Sequence, residues 1–187
     1  EFDAVILLKR EDLQVVRSYK LRGAFNKIAH LTPEELKYGV VCASAGNHAQ
    51  GVAYSCQRLG IKGKIYMPTT TPQQKIKQVK MFGKSFIEII LSGDTFDDAQ
   101  AAALADSAKT GMAFIHPFDD KQIIEGQATV ALEILQDTKE HIDFIFIPIG
   151  GGGLAAGVGA CFKQISPQTK IIGVEPAGAP SMLESIK

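Results

Sequence analysis

Three stretches of this sequence could do chemistry: Ser18-Tyr19-Lys20-Leu21-Arg22-Gly23-Ala24, Ser44-Ala45-Gly46-Asn47-His48-Ala49-Gln50-Gly51 and Gly150-Gly151-Gly152-Gly153-Leu154. In the first, Ser18 stands where a helix N-cap belongs, which puts Lys20 in the opening turn. An ammonium there opposes the positive end of the helix dipole. An apolar pocket would penalise the charge further, so both effects lower its pKa. An amine held neutral in this way can form a Schiff base. A lone lysine is ordinarily a solvated surface residue, and only partners elsewhere in the chain give this one a role.

The glycines follow an apolar run, Phe144-Ile145-Phe146-Ile147-Pro148-Ile149, and precede an alanine-rich segment, the strand-to-helix crevice where parallel sheets bind ligands. Consecutive glycines let backbone amides turn inward with no Cβ in the way. The helix N-terminus behind them adds partial positive charge, and together these make a phosphate cradle. Close packing of a helix on a strand needs fewer glycines than this loop has. The same loop satisfies a relaxed dinucleotide fingerprint, Gly150-x-Gly152-x-x-Ala155, with Glu175 ending the next strand where a ribose-binding acid belongs. A nicotinamide-dependent (NAD) oxidoreductase is therefore a rival reading, although it leaves Lys20 and the Asn47 loop without a role. A catalytically silent unit that only binds a partner is a third. Ser44, Ala45 and Gly46 form another turn of small residues, offering amides and a hydroxyl to an anion such as a substrate carboxylate. Asn47 adds an uncharged amide for a ring hydroxyl or phenolate oxygen, while His48, taken alone, is a helix surface or core residue.

To be presented together, these loops need strands that end before them and helices that start after them. Val5 to Asp12 reads as a short buried strand running into charge, and the helix carrying Lys20 ends near Leu31. Thr32 then caps a further helix, with Pro33 at its first position. Gly39 to Ser44 reads as a strand, and Asn47 to about Leu59 as a helix with Gly60 as its C-cap. Lys64 to Pro68 is a strand, Pro72 opens a helix to Gly83, and Phe86 to Leu91 is the next strand. Asp94 caps an alanine-rich helix to about Lys109, and Ala113 to His116 is a short strand. A second run has the same grammar: a helix from Lys121 to Gln136, the strand before the glycines, a helix to Gln164 and a strand from Lys170 to Glu175. Alternation at this spacing predicts an α/β fold, with right-handed crossovers and mainly parallel sheets in two three-layer α/β/α units. The loop His116-Pro117-Phe118-Asp119-Asp120 is the expected boundary between them.

A chain of 187 residues can bury a real core, in about one or two domains. Lys plus Arg equals Asp plus Glu at 20 each, so no global field collects nucleic acid or an anionic membrane. Lys75, Lys77 and Lys80 mark the solvated face of a helix. Cys42, Cys56 and Cys161 are odd in number, lack C-x-x-C spacing and lie in apolar segments, as buried thiols do in a reducing compartment. No apolar run reaches membrane-spanning length and no basic-then-apolar leader opens the chain, so the sequence reads as soluble and intracellular. The first residue is Glu rather than Met, and Pro180 to Lys187 reads as a helix stopped in its first turns, so a longer parent protein, truncated here at both ends, is expected.

Taken together, Leu7-Leu8-Lys9-Arg10-Glu11-Asp12, Ser18 to Ala24, Ser44 to Gly51, Gly126-Gln127 and Gly150 to Gly157 resemble the fold-type II enzymes that use pyridoxal 5′-phosphate, specifically the biosynthetic threonine dehydratases (threonine deaminases). The resemblance implies a fold like that of the tryptophan synthase β chain. Residues 1–33 and 116–187 would belong to a larger cofactor-binding domain and residues 34–115 to a smaller, mobile one. It implies that Lys20 holds pyridoxal phosphate covalently, with Tyr19 against the ring face, Asn47 bonding the ring oxygen, and Gly150, Gly151, Gly152 and Gly153 binding the phosphate under Leu154. Ser44, Ala45, Gly46 and His48 would grip the amino acid carboxylate. The activity implied is dehydration and deamination of L-threonine, and of L-serine, to 2-oxobutanoate or pyruvate and ammonia, the first step of isoleucine biosynthesis. A homodimer or homotetramer in the cytoplasm is implied, or in an organelle matrix or stroma if a leader has been removed.

Departures from the family pattern sharpen these expectations. Tyr19 replaces the usual Phe before the lysine and keeps an aromatic face. Ala128 stands where glycine is usual. Related serine racemases carry a serine at the position of Ala45 as an acid or base, so racemisation is disfavoured here. They also bind a cation near the equivalent of Glu175, but the acidic partner expected at Ser181 is missing, so no divalent metal is expected. The family's ligand to the ring nitrogen falls downstream of Lys187.

Overall fold

The structure, a computed structural model, describes residues 3–187. Its six strands are Val40–Ala43 (β1), Gly63–Met67 (β2), Ile87–Leu91 (β3), Ala113–Phe114 (β4), Phe144–Pro148 (β5) and Lys170–Val174 (β6). Its helices are Lys20–Ala29 (α1), Asn47–Leu59 (α2), Gln73–Gly83 (α3), Phe96–Thr110 (α4), Lys121–Asp137 (α5), Gly153–Ile165 (α6) and the short Ser181–Ser185 (α7). The first four strands form one sheet in the order β3-β2-β1-β4, and β5 and β6 form another. Every pairing is parallel. The alternating strands and helices thus give the expected α/β fold.

Period-two alternation explains how the larger sheet is sandwiched. Val40 and Cys42 of β1 point into a core shared with α1, α2 and α3 through Ile28, Val52, Cys56, Ile76 and Val79. Val41 and Ala43 point the other way, onto Ala99 and Ala103 of α4. All four β1 residues are buried, as a central parallel strand requires. The second sheet packs Ile145, Ile147 and Ile171 against α5 and α6, around Val130, Leu154, Val158 and Phe162. Its other face carries Phe144 and Phe146, and Phe146 is 66% exposed among the described residues. Of the described residues, no helix is long and apolar enough to cross a membrane.

Some elements differ from the sequence expectation. Val5 to Leu8 form neither a strand nor a buried segment; Val5 is 84% exposed and Leu8 76%. Local β preference is not enough without an adjacent sheet edge, and what fixes this segment is charge. Lys9 meets Glu133 at 2.7 Å, and Glu11, in a single 3₁₀ turn, meets Arg22 at 2.8 Å. Thr32 and Glu35 make the reciprocal capping bonds, but only a turn follows, because the chain must reach Gly39 (φ +88°) and enter β1. Thr95, not Asp94, caps α4 through a capping box with Asp98, while Asp94 accepts a bond from the Thr69 hydroxyl.

Helix α1 is held on two sides by backbone-to-backbone approaches. A Cβ at Gly51 of α2 would lie 3.2 Å from the Lys20 carbonyl oxygen, and a Cβ at Gly126 of α5 would lie 2.6 Å from the Gly23 Cα. Gln127, 1% exposed, seals the second contact by accepting a bond from the Gly23 N–H. Ala128 backs directly onto Gly157 of α6, whose own Cβ would meet the Ala128 nitrogen at 2.8 Å, so α5 supplies the alanine and α6 the glycine of that crossing.

The neighbours of Gly126 are main-chain atoms that cannot swing away as a side-chain end can. Gly126→Ala is therefore expected to cost about 1–3 kcal/mol, read as a lower denaturation midpoint. An unchanged midpoint would mean that α1 and α5 separate without penalty.

Candidate active site

The strand order turns at β1: β2 and β3 lie to one side of it and β4 to the other. In parallel sheets the crevice beyond such a reversal is where ligands bind. Ser44 to Asn47 leave the carboxyl end of β1, and Ile115 to Phe118 leave that of β4. The two loops are tied by His48, whose Nε2 lies 2.9 Å from the Ile115 carbonyl oxygen.

Lys20 enters this crevice from the start of α1. The assigned helix begins at Lys20, but Tyr19 already has helical dihedrals, and the Ser18 hydroxyl accepts the Lys20 N–H at 3.2 Å as a capping residue should. The Lys20 ammonium donates to the Pro117 carbonyl at 2.6 Å and lies 5.7 Å and 5.9 Å from the centres of the Tyr19 and Phe118 rings. No carboxylate pairs with it among the described residues. Burial pushes its pKa down, as the apolar surroundings predicted.

Phe118 links this amine to the glycine loop. Its ring occupies the space a Cβ at Gly151 would need, and its carbonyl oxygen would lie 2.8 Å from a Cβ at Gly153. Gly152 caps α6 with φ +85°, a conformation that costs other residues. A Cβ at Gly150 would meet nothing within 4 Å, so that end of the loop opens onto free space. Among the described residues the N–H groups of Gly150, Gly151 and Gly152 donate to no other group. Leu154 is buried beneath them.

The Asn47 loop is partly committed to itself. The Ser44 hydroxyl accepts the Gly46 N–H at 3.1 Å, leaving its own hydrogen to donate. Gly46, like Gly150, has open space where a Cβ would be. Asn47 is exposed, and its amide has no partner among the described residues. His48 is 4% exposed and spent on Ile115. Tyr19 packs toward Val130, Ile147 and Leu154. Glu175 is also spent: its two carboxylate oxygens accept the Met182 and Leu183 N–H groups at 2.8 and 2.9 Å.

Sequence reasoning treated His116 to Asp120 as a boundary, and missed that Pro117 and Phe118 stand at the centre of the site. A proline between two aromatic rings at the end of a strand was the available signal. Arg22 was likewise quoted only as part of a motif. Its guanidinium is gripped by both Glu11 and Glu133 at 2.7 to 2.8 Å and donates to the Thr129 hydroxyl.

Comparison with known proteins gives the family. A family described as pyridoxal-phosphate dependent enzyme matches residues 1–187. The chain belongs to that family. It is 60% identical over 186 residues to the biosynthetic L-threonine dehydratase IlvA of Halalkalibacterium halodurans, covering 100% of this chain and 45% of that protein. Among solved structures it is similar to the processed form of threonine deaminase isoform 2 from Solanum lycopersicum, with a TM-score of 0.90, 56% identity, and coverage of 95% of this chain and 51% of that one. A maize serine racemase follows at a TM-score of 0.88 and 38% identity, over 94% of this chain and 52% of that one. The chain spans about half the length of these relatives.

Burial of His48 makes the fold sensitive to acid. Burial first, with Lys20 and His116 adding to it, pushes its pKa down to about 4, so the folded protein keeps it neutral where an unfolded chain would take up a proton. Its contribution is complete above pH ~6.5 and is lost as pH falls toward about 4. Stability should fall on acidification with a slope of up to about 1.4 kcal/mol per pH unit from this group, and His48→Gln should flatten that part of the curve in chemical denaturation.

Proposed function

We propose that the protein containing this chain is a pyridoxal-phosphate-dependent lyase that removes water and ammonia from L-threonine, and from L-serine, giving 2-oxobutanoate or pyruvate. The observation that carries this reading is the junction of the Lys20 amine, Phe118 and the glycine loop, features far apart in the chain that meet at the Pro117–Phe118 turn. The residues fit the cofactor. Unpaired glycine amides at a helix N-terminus suit its phosphate, and the open space at Gly150 leaves room for it. Asn47 supplies an uncommitted amide for the ring oxygen. Lys20 supplies an amine whose positive charge is already disfavoured.

When bound, the cofactor supplies an electron sink for negative charge at the substrate Cα. Lys20 would hold the cofactor, and its amine, kept neutral by burial, would be the group that takes the Cα proton. Pro117 fixes that amine through its carbonyl, so its lone pair has a defined starting direction. Ala45 holds the substrate carboxylate through its uncommitted main-chain N–H and Ser44 through the remaining hydrogen of its hydroxyl, while Gly46, with no Cβ, leaves the space open for it. His48 supports this loop from behind. Ala45 has no group able to carry a proton, which supports elimination over racemisation. Glu175 is engaged in capping α7, which weakens the dinucleotide alternative.

The sheets Val40 to Phe114 and Phe144 to Val174 mark, in this reading, a smaller domain over residues 34–115 and part of a larger one over 1–33 and 116–187. Homodimers or homotetramers in the cytoplasm or an organelle matrix complete the proposal.

Borohydride reduction of the full-length protein with pyridoxal phosphate should attach the cofactor to Lys20, seen as a mass increase on its peptide. Lys20→Ala should abolish both the adduct and the threonine dehydratase activity. An adduct on another lysine, or tight binding of a nicotinamide dinucleotide with no adduct, would sink the reading.

A further inference from the structure

Lys20 and the glycine loop are both set by the turn at Pro117 and Phe118, and this turn has few bonds of its own. Pro117 has no N–H to give, and its carbonyl is taken by Lys20. The next two amides, of Phe118 and Asp119, make no backbone hydrogen bond among the described residues. Both instead point at one atom, the Nδ1 of His116, at 3.2 and 2.7 Å. A ring nitrogen accepts such bonds only through its lone pair, so Nδ1 is unprotonated and the ring hydrogen is on Nε2. The imidazole is in turn held edge-on by Phe118 at 4.8 Å and Phe114 at 6.2 Å between ring centres.

We propose that His116 is a positioning residue: its Nδ1 lone pair gathers the Phe118 and Asp119 amides and so shapes the turn whose Pro117 carbonyl holds the Lys20 amine and whose Phe118 packs on the glycine loop. The part of this inference that concerns Lys20 rests on the lyase reading above; the part that concerns the turn does not. Protonation of Nδ1 replaces an acceptor by a donor facing two further donors, and the turn then opens. Four titratable groups bear on that proton. Asp119 and Asp120 in the loop favour it, Lys20 from α1 opposes it, and His48 on α2 is coupled to the same ring. Burial is the largest influence and keeps the pKa below the ordinary imidazole value, so the accepting form prevails at neutral pH. The contribution of His116 to the turn is therefore full above the ordinary imidazole range and is lost on acidification.

The test compares His116→Ala with His116→Asn in the full-length protein. Asparagine places its Oδ1 the same number of bonds from the backbone as Nδ1, and it cannot take up a proton. Hydrogen exchange of the 116–120 segment should quicken about tenfold in His116→Ala, from the loss of two net hydrogen bonds, and cofactor affinity should fall with it. His116→Asn should hold both at the wild-type level. Corrected for the chemical rate, wild-type exchange should rise as pH falls through the histidine range, while that of His116→Asn stays flat. The inference is overturned if His116→Ala exchanges at the wild-type rate, or if His116→Asn is as fast as His116→Ala. Nitrogen NMR of the unmutated protein needs no variant to fold, and a protonated Nδ1 at neutral pH would also overturn it. Normal exchange behaviour without a Lys20 adduct would uphold the turn and remove only the lyase reading.

Discussion

Helix α1 cannot move independently of its neighbours, because on two sides its main chain touches another main chain, too closely for a Cβ at Gly126 and with little room for one at Gly51. Gly51 lets α2 rest on the Lys20 and Leu21 backbone, and Gly23 faces Gly126 across the contact with α5. Packing at this distance fixes the axis of α1 more tightly than interdigitated side chains could. The position of the Lys20 amine follows, since the residue opens the helix and its side chain donates to the Pro117 carbonyl. Glycines that look like ordinary helix weaknesses in sequence thus set the location of the Lys20 amine.

Charge completes what packing begins. Arg22, immediately before Gly23, is bracketed by Glu11 and Glu133, and Glu133 also receives Lys9. Its hydrogen bond to Arg22 is the main reason the Glu133 carboxyl is held down to about 2, with Lys9 adding to it. Such a depressed carboxylate stabilises the fold above the ordinary carboxylate pKa and stops doing so as pH falls through its own. Because Glu133 is 42% exposed, solvent screens much of this, and its chief effect is to tie an otherwise exposed N-terminal segment to α1 and α5. That segment has no sheet to join, so ion pairs do the work that strand pairing was expected to do.

Most of the fold was legible because the apolar periodicity and its punctuation agree. Gly60 and Gly111 end α2 and α4 in left-handed conformations, Pro72 precedes α3, and Asp120 caps α5, all at positions where the residue type leaves little choice. The failures have one cause. Val5 to Leu8, Thr32 to Glu35 and Asp94 each carry a correct local signal, but whether it becomes a strand, a helix or a cap depends on neighbours that the local sequence does not specify. The site divides in the same way. Lys20, Asn47 and the glycines of the proposed site were singled out by residue type, since each could do something few other residues can. Pro117 and Phe118 were not, because a carbonyl oxygen and a ring packed on glycine acquire meaning only once β4 is known to lie beside β1.

The three thiols are distributed so that each sheet carries its own marker. Cys42 and Cys56 lie in the core of the four-stranded sheet, and burial pushes both thiols up, Cys56 to about 12. Cys161 sits half-exposed on α6, over the other sheet. Alkylating reagents attack the thiolate, so the first two are silent until their layer parts, whereas the third is reachable from the native surface. Without any introduced label, the lag of Cys42 and Cys56 behind Cys161 therefore times the opening of the four-stranded sheet.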